Sequence, residues 1–269
     1  EVLYQGIKGL PIVSPHGHCD PIWFAQNKAF KNPAELLVIP DHYVFRMLYS
    51  QGIPLSDLGI GSLGQGTEPR EIFRIFAKNW HLFLGTPSRV WMEYVLRETF
   101  QIPTELSALT ADSMYDQITE KLEQDNYRPR ALFDRFNIET LATTDSALDG
   151  LSHHATIKAS DWTGRVIPTF RPDGVLDPLD PSFVQNLQEL EKLTQCNLGS
   201  YSGYLDAIRS RRAYFVEMGA TATDHAIEVI HTEWLDDPDV LYQILKLGAG
   251  TLEDARQFYG PVSYTHLRA

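Results

Sequence analysis

The chain has 269 residues, 43% of them hydrophobic and 22% charged, enough to bury the core of one large domain or two smaller ones. Its formal net charge of −12 and pI near 5.1 speak against nucleic acid or an anionic membrane as partner, because both need clustered Lys and Arg; a small anion could still be held by a few focused Arg. Two cysteines, Cys19 and Cys196, make no disulfide framework and fit a reducing cytoplasm; no signal peptide is evident, and no apolar stretch nears the roughly 20 residues of a membrane span.

In chain order, Ile12 to His18 reads as a first strand. Asn32-Pro33-Ala34-Glu35 reads as a helix start, with Asn32 as cap and Pro33 at the first helical position. Asp41 caps a second helix running to Gln51, where Gly52 and Pro54 stop it. Further helices are expected over Pro69–Asn79, Pro87–Phe100, Ala111–Gln124 and Pro129–Phe136, so residues 31–137 form a helical insertion after the first strand. Strands resume at Ile138–Asp145 and Arg165–Asp173. Helices follow over Asp180–Leu193 and Tyr201–Met218, then a short strand over Gly219–His225. Gly59-Ile60-Gly61-Ser62-Leu63-Gly64 has the spacing of a dinucleotide loop, but no strand precedes it, and it reads as a flexible loop.

Alternating strands and helices favour a parallel α/β fold. Four strand-like segments end in His-x-His, Thr-Thr-Asp, Phe-Arg-Pro-Asp and Asp-His. Since parallel strands present their carboxyl ends on one face, these groups suggest one shared site.

His16-Gly17-His18 is the leading motif. If it continues the strand, both imidazoles point the same way and could share a divalent metal. Spacing alone leaves hydrogen-bonded histidines equally open, and a working site needs a further ligand, for which Asp145, Asp173, Asp224 and His225 are candidates. Arg171 could grip a carboxylate through its fork or simply pair with Asp173. Asp41-His42-Tyr43-Val44-Phe45-Arg46 offers a phenol, an imidazole and a cation on one helix, a set that equally suits amphipathic packing with Tyr43 half buried. Arg209-Ser210-Arg211-Arg212 reads as a solvated helix face. Cys19 is as good a packing residue as a reactive one.

Taken together and in this order, Pro11-Ile12-Val13 before His16-Gly17-His18, Asp41-His42-Tyr43 with Arg46, Thr143-Thr144-Asp145, Thr169-Phe170-Arg171-Pro172-Asp173, and Arg211-Arg212-Ala213-Tyr214-Phe215 followed by Asp224-His225 resemble uronate (glucuronate) isomerase, of the amidohydrolase superfamily. The resemblance implies a partial, distorted (β/α)8 TIM-like barrel of the metal-dependent hydrolase type. Residues 1–30 would carry the first strand and metal motif, 31–137 the helical insertion and 138–260 further βα units. It implies a cytoplasmic enzyme, possibly a homo-oligomer, that interconverts D-glucuronate with D-fructuronate and D-galacturonate with D-tagaturonate by moving a proton between C2 and C1. It assigns His16 and His18 to a divalent metal, zinc, and His42 and Tyr43 to catalysis. Arg171, Arg46, Asp224 and His225 are assigned to the hexuronate.

The family's third metal ligand, an Asp within Asp-Ser-Arg, has no counterpart here, since Asp145-Ser146 is followed by Ala147. The chain opens at Glu1 without an initiator Met, and Ser263 to Ala269 resembles read-through of a sequencing adapter. Residues 261–269 are therefore expected to be foreign, and the last barrel strands to be missing. The alternatives are a metal-dependent hydrolase of the same superfamily and an inactive truncated fragment.

Overall fold

The computed structural model describes residues 2–61, 66–227 and 230–267; Ser62, Leu63 and Gly64 of the glycine-rich loop lie outside them. The chain divides into a helical unit, residues 27–135, and an α/β unit made of residues 1–26 and 136–269.

The helical unit begins as its capping residues dictate. Asn32 accepts the amide of Glu35 at 2.9 Å, with Pro33 opening helix α3 (Pro33–Leu37), and Asp41 accepts the amide of Tyr43 at 2.9 Å to start α4 (His42–Ser50). Helices α5 (Pro69–Lys78) and α6 (Pro87–Tyr94) also open on proline, and α7 (Ala111–Leu122) and α8 (Pro129–Arg135) complete the set. The helix expected to reach Phe100 instead passes at Val95 into a π-helical turn, Val95–Thr99. On α5, Ile72, Phe73, Phe76 and Ala77 fall on one face and are buried. Phe76 packs edge-on against Trp80 and Phe83, with ring centres 5.3 and 5.6 Å away.

The α/β unit opens with α1 (Val2–Ile7), β1 (Ile12–Ser14) and α2 (Pro21–Gln26). After residue 135 come β2 (Ile138–Ala142), β3 (Asp145–Ser146), α9 (Ser152–Lys158), β4 (Arg165–Ile167) and β5 (Phe170–Arg171). They are followed by α10 (Asp173–Leu176), α11 (Phe183–Thr194), α12 (Tyr201–Glu217), α13 (Pro238–Lys246) and α14 (Leu252–Pro261). Among the described residues all strand pairs are parallel, in the orders β1-β2-β4 and β3-β5.

The two small sheets are joined by one hydrogen-bond ladder. Thr143 N reaches Ile167 O at 2.9 Å, Thr169 N reaches Thr143 O at 3.1 Å, and Asp145 N reaches Thr169 O at 3.1 Å. Pro168, which has no amide hydrogen, sits where the expected strand Arg165–Asp173 breaks, and α10 begins at Asp173. The strand expected over Gly219–His225 is reduced to a single parallel bridge, Thr223 to Phe170, held by Phe170 N to Ala222 O and Asp224 N to Phe170 O. The first strand is likewise shorter than expected: it ends at Ser14, because Pro15 cannot continue the ladder. Ile12 and Val13 are 50% and 57% exposed.

The core of this unit lies among α10 to α14, where Tyr204, Tyr242 and Phe258 are fully buried and stacked or tilted together. Tyr204 is tied to α10 through its hydroxyl, which donates to Val175 O at 2.8 Å.

Phe76→Ala should destabilise the helical unit by about 3–5 kcal/mol, because it removes a fully buried ring from an aromatic cluster. Urea unfolding followed by far-UV circular dichroism measures this, and a loss below about 1 kcal/mol would contradict the packing described.

Candidate active site

The carboxyl ends of the strands in the α/β unit surround a cavity of about 640 Å³, whose lining includes His18, Cys19, Asp20, Thr144, Asp145, Asp149, His153, His154 and Arg171. His16 and His18 lie just beyond β1 in non-strand backbone, so the period-two reasoning does not account for their convergence. They converge nonetheless: the two Nε2 atoms are 2.8 Å apart and the ring centres 4.9 Å. The cause is the path of the backbone at Gly17. A Cβ on Gly17 would stand 2.8 Å from Ala142 O, so glycine permits the close approach, and the Thr144 hydroxyl donates to Gly17 O at 3.1 Å.

The donor set suits a divalent metal in part. Two imidazole nitrogens face one another, and His16 Nδ1 lies 3.6 Å from Asp224 Oδ2, within reach of charge attraction but beyond hydrogen-bond length. Two nitrogens are half of a tetrahedral shell. Among the described residues no group of three or more His, Cys, Asp or Glu side chains is placed to hold a metal.

Arg171 sits at the end of β5 between two carboxylates. Its Nε donates to Asp173 Oδ2 at 2.6 Å and its Nη1 lies 3.3 Å from Asp224 Oδ2. Asp173 is also bound by the Tyr259 hydroxyl and by the amide of Ala226 at 3.0 Å. Pairing with Asp173, one of the two roles left open for Arg171, is thus the one the geometry contains. The hydrogen bond from Arg171 to Asp173 keeps the guanidinium firmly charged, while burial and the Asp173 carboxylate push the Tyr259 phenol up. Asp224 belongs to this cluster. The His225 ring lies 5.8 Å from that of Tyr264.

In the helical unit, His42, Tyr43 and Arg46 occupy the first turns of α4, whose buried face is Val44 and Leu48. Tyr43 is 62% exposed rather than half buried, its ring centre 4.2 Å from that of His42, and Arg46 is exposed.

Asp145, one of the candidate further ligands, is instead engaged with a histidine that the sequence did not single out. His154 and Asp145, both buried, meet at the Thr143 hydroxyl, which lies 2.7 Å from Asp145 Oδ2 and 2.8 Å from His154 Nε2. That hydroxyl has one proton. If it is given to Asp145, His154 must donate from Nε2, leaving Nδ1 as a bare acceptor, which agrees with its buried position without a hydrogen-bond partner. Protonating Nδ1 would bury an unmatched N–H, so desolvation holds the His154 pKa down; burial likewise pushes Asp145 up, partly offset by the Thr143 hydrogen bond. The adjacent histidines at 153 and 154 were the available signal, but α9 starts after Leu151 in a left-handed conformation that its sequence does not announce.

Arg211 overturns the reading of its segment as a solvated face. It is 8% exposed, donates from Nε to Ala147 O at 2.8 Å and from Nη2 to Asp149 O at 2.6 Å, and lies over the Tyr214 ring. Tyr214 adds a bond to Gly150 O at 2.8 Å. Helix α12 thereby holds the loop after β3 at the cavity rim. Cys19 faces the same cavity, but burial pushes its thiol up, which suits packing rather than nucleophilic attack.

A parallel α/β unit with paired histidines at a strand end is the class of molecule these observations define. The glucuronate isomerase family model matches residues 1–257, and the chain belongs to that family. A uronate isomerase of Rhizorhabdus wittichii is 52% identical over 258 residues, covering 95% of this chain and 55% of that protein. One from Sphingopyxis alaskensis is 57% identical over 227 residues, covering 83% of this chain and 48% of that protein. The crystal structure of glucuronate isomerase from Caulobacter crescentus superposes with a TM-score of 0.93 at 44% identity, covering 97% of this chain and 56% of that one. The chain spans about half the length of the curated relatives it matches.

His154 should make stability pH-dependent in a defined direction. Its folded pKa is below the usual 6.5, so the unfolded chain takes up a proton that the folded chain refuses, and stability present above pH 6.5 is lost as pH falls. Asp145, with its pKa raised from 3.8, acts oppositely, its contribution lost as pH rises through the folded value. Urea unfolding at a series of pH values should therefore show wild type losing stability relative to His154→Gln below pH 6.5; parallel curves would refute the buried neutral imidazole.

Proposed function

We propose that this chain is part of a uronate isomerase that interconverts D-glucuronate with D-fructuronate, and D-galacturonate with D-tagaturonate, in the cytoplasm. The observation that carries the reading is the opposed pair of His16 and His18 ring nitrogens beside a polar cavity, in a chain of the glucuronate isomerase family. The α/β unit is read as part of a distorted (β/α)8 barrel, supported by parallel strands in the order β1-β2-β4, and residues 31–137 as the helical insertion after its first strand.

His16 and His18 would hold a divalent metal, zinc by the chemistry of imidazole ligands. When bound, it would supply positive charge against the oxyanion of the enediol. The remaining work falls to the protein's own groups. Asp224 places a carboxylate oxygen 3.6 Å from His16 Nδ1. Tyr43 is assigned the proton transfer between C2 and C1, and His42 a hydrogen bond to the sugar; the exposure of Tyr43 leaves its phenol open to a solute. Arg171 and Arg46 are the cations assigned to the hexuronate carboxylate. Arg171 meets it while already shared by Asp173 and Asp224, so a carboxylate arriving there competes for the same fork. His225 is assigned to the substrate with Asp224.

The deciding experiment incubates the full-length protein with D-glucuronate in D2O and follows the sugar by NMR. A ketose should form with exchange of the C2 proton, whereas an unchanged aldose would remove the proposal. Tyr43→Phe should lower kcat by about 100-fold or more with KM little altered, the pattern expected of a group acting in the transition state; a change in KM alone would reassign it to binding. His16→Ala and His18→Ala should each reduce bound metal measured by mass spectrometry, and undiminished metal content would unseat them as ligands.

A further inference from the structure

We infer that Thr144 is the positioning residue of the histidine pair, its hydroxyl holding the Gly17 carbonyl and through it the mutual placement of the His16 and His18 rings. Both histidines lie outside the strand, where no regular ladder fixes the backbone. Between them stands a glycine, the residue with the greatest conformational freedom. The peptide group whose carbonyl belongs to Gly17 is the one whose nitrogen belongs to His18, so its rotation would swing the second imidazole away from the first.

Two contacts prevent that rotation. The Thr144 hydroxyl donates to Gly17 O at 3.1 Å across 127 residues of sequence, and Gly17 approaches Ala142 O so closely that a Cβ would stand 2.8 Å from it. Thr144 is itself firmly seated, because its neighbours on both sides are in the ladder: Thr143 N binds Ile167 O at 2.9 Å and Asp145 N binds Thr169 O at 3.1 Å. The Thr143 hydroxyl faces the buried Asp145 and His154 while the Thr144 hydroxyl faces the histidine motif, so adjacent residues of one type serve opposite directions.

The functional meaning of this placement rests on reading His16 and His18 as metal ligands, but the placement can be tested without metal. In metal-free full chain at pH 7.5, the ring protons of His16 and His18 should show a nuclear Overhauser effect, as their 4.9 Å ring separation requires. Thr144→Ser, which keeps the donor, should retain it; Thr144→Val, which keeps the shape and removes the donor, should weaken it. Cobalt(II) titration followed by visible absorption should give a dissociation constant about 10- to 100-fold weaker for Thr144→Val, the size typical when a group that orients a ligand is removed, and near wild type for Thr144→Ser. If Thr144→Val loses its far-UV dichroism, Thr144→Ala is read the same way. An undiminished Overhauser effect in a folded donor-free variant, or its absence from wild type, overturns the role of Thr144. Cobalt binding unaltered in His16→Ala would instead overturn the metal reading, leaving the Overhauser result to judge Thr144.

Discussion

The parallel ladder joining residues 140–147 to 165–171 is the constraint on which the rest of the α/β unit depends. Strands β2 and β4 each give way to a short irregular pair, Thr143-Thr144 and Pro168-Thr169, and the ladder nevertheless continues through Thr143, Thr169 and Asp145 to Ala147 N, which donates to Arg171 O at 3.0 Å. Because the strands run the same way, this continuity brings their polar ends out on one side. It also places Thr143 inward and Thr144 toward Gly17, so one stretch of main chain serves both the buried Asp145–His154 pair and the exposed histidines. An unmatched amide in this stretch would be costly away from water.

Charge at the site is deliberately unequal. Arg171 is shared by Asp173 and Asp224, and Asp224 also lies within reach of His16. The cluster without a bound cation is therefore negative, in a chain that is already acidic. On the proposed reading, an anionic sugar would meet that field at close quarters, and a positive charge held by the two imidazoles would reverse its sign. Arg211, by contrast, spends its charge on the carbonyl oxygens of Ala147 and Asp149, and burial lowers its proton affinity; its role is to set the rim in place.

Much of this was legible in the amino-acid sequence, for reasons that differ by element. Asn32 and Asp41 announce their helices because capping is a local interaction within three residues. The order of short motifs identified the family. The parallel α/β class followed from strand-like runs separated by helices. What misled was extent: Pro15 and Pro168 end strands that hydrophobic patterning alone would prolong, and Gly219–His225 keeps one bridge of a strand. The histidine pair was found through a strand periodicity that the backbone does not follow. The roles of Thr144 and Arg211, known from the sequence only as parts of motifs, and His154 altogether, escaped because their partners lie 127, 64 and 11 residues away, and only the folded chain brings them together.

Those separations also say something about how the molecule comes into being. Contacts far apart in sequence must await closure of long loops, and their formation is correspondingly slow. Between Gly17 and Thr144 lies the helical unit, which has a core of its own. Condensing that stretch first would shorten the effective loop. The cavity rim depends in turn on Arg211, 64 residues beyond Ala147 in sequence, so it cannot be complete until α12 is in place.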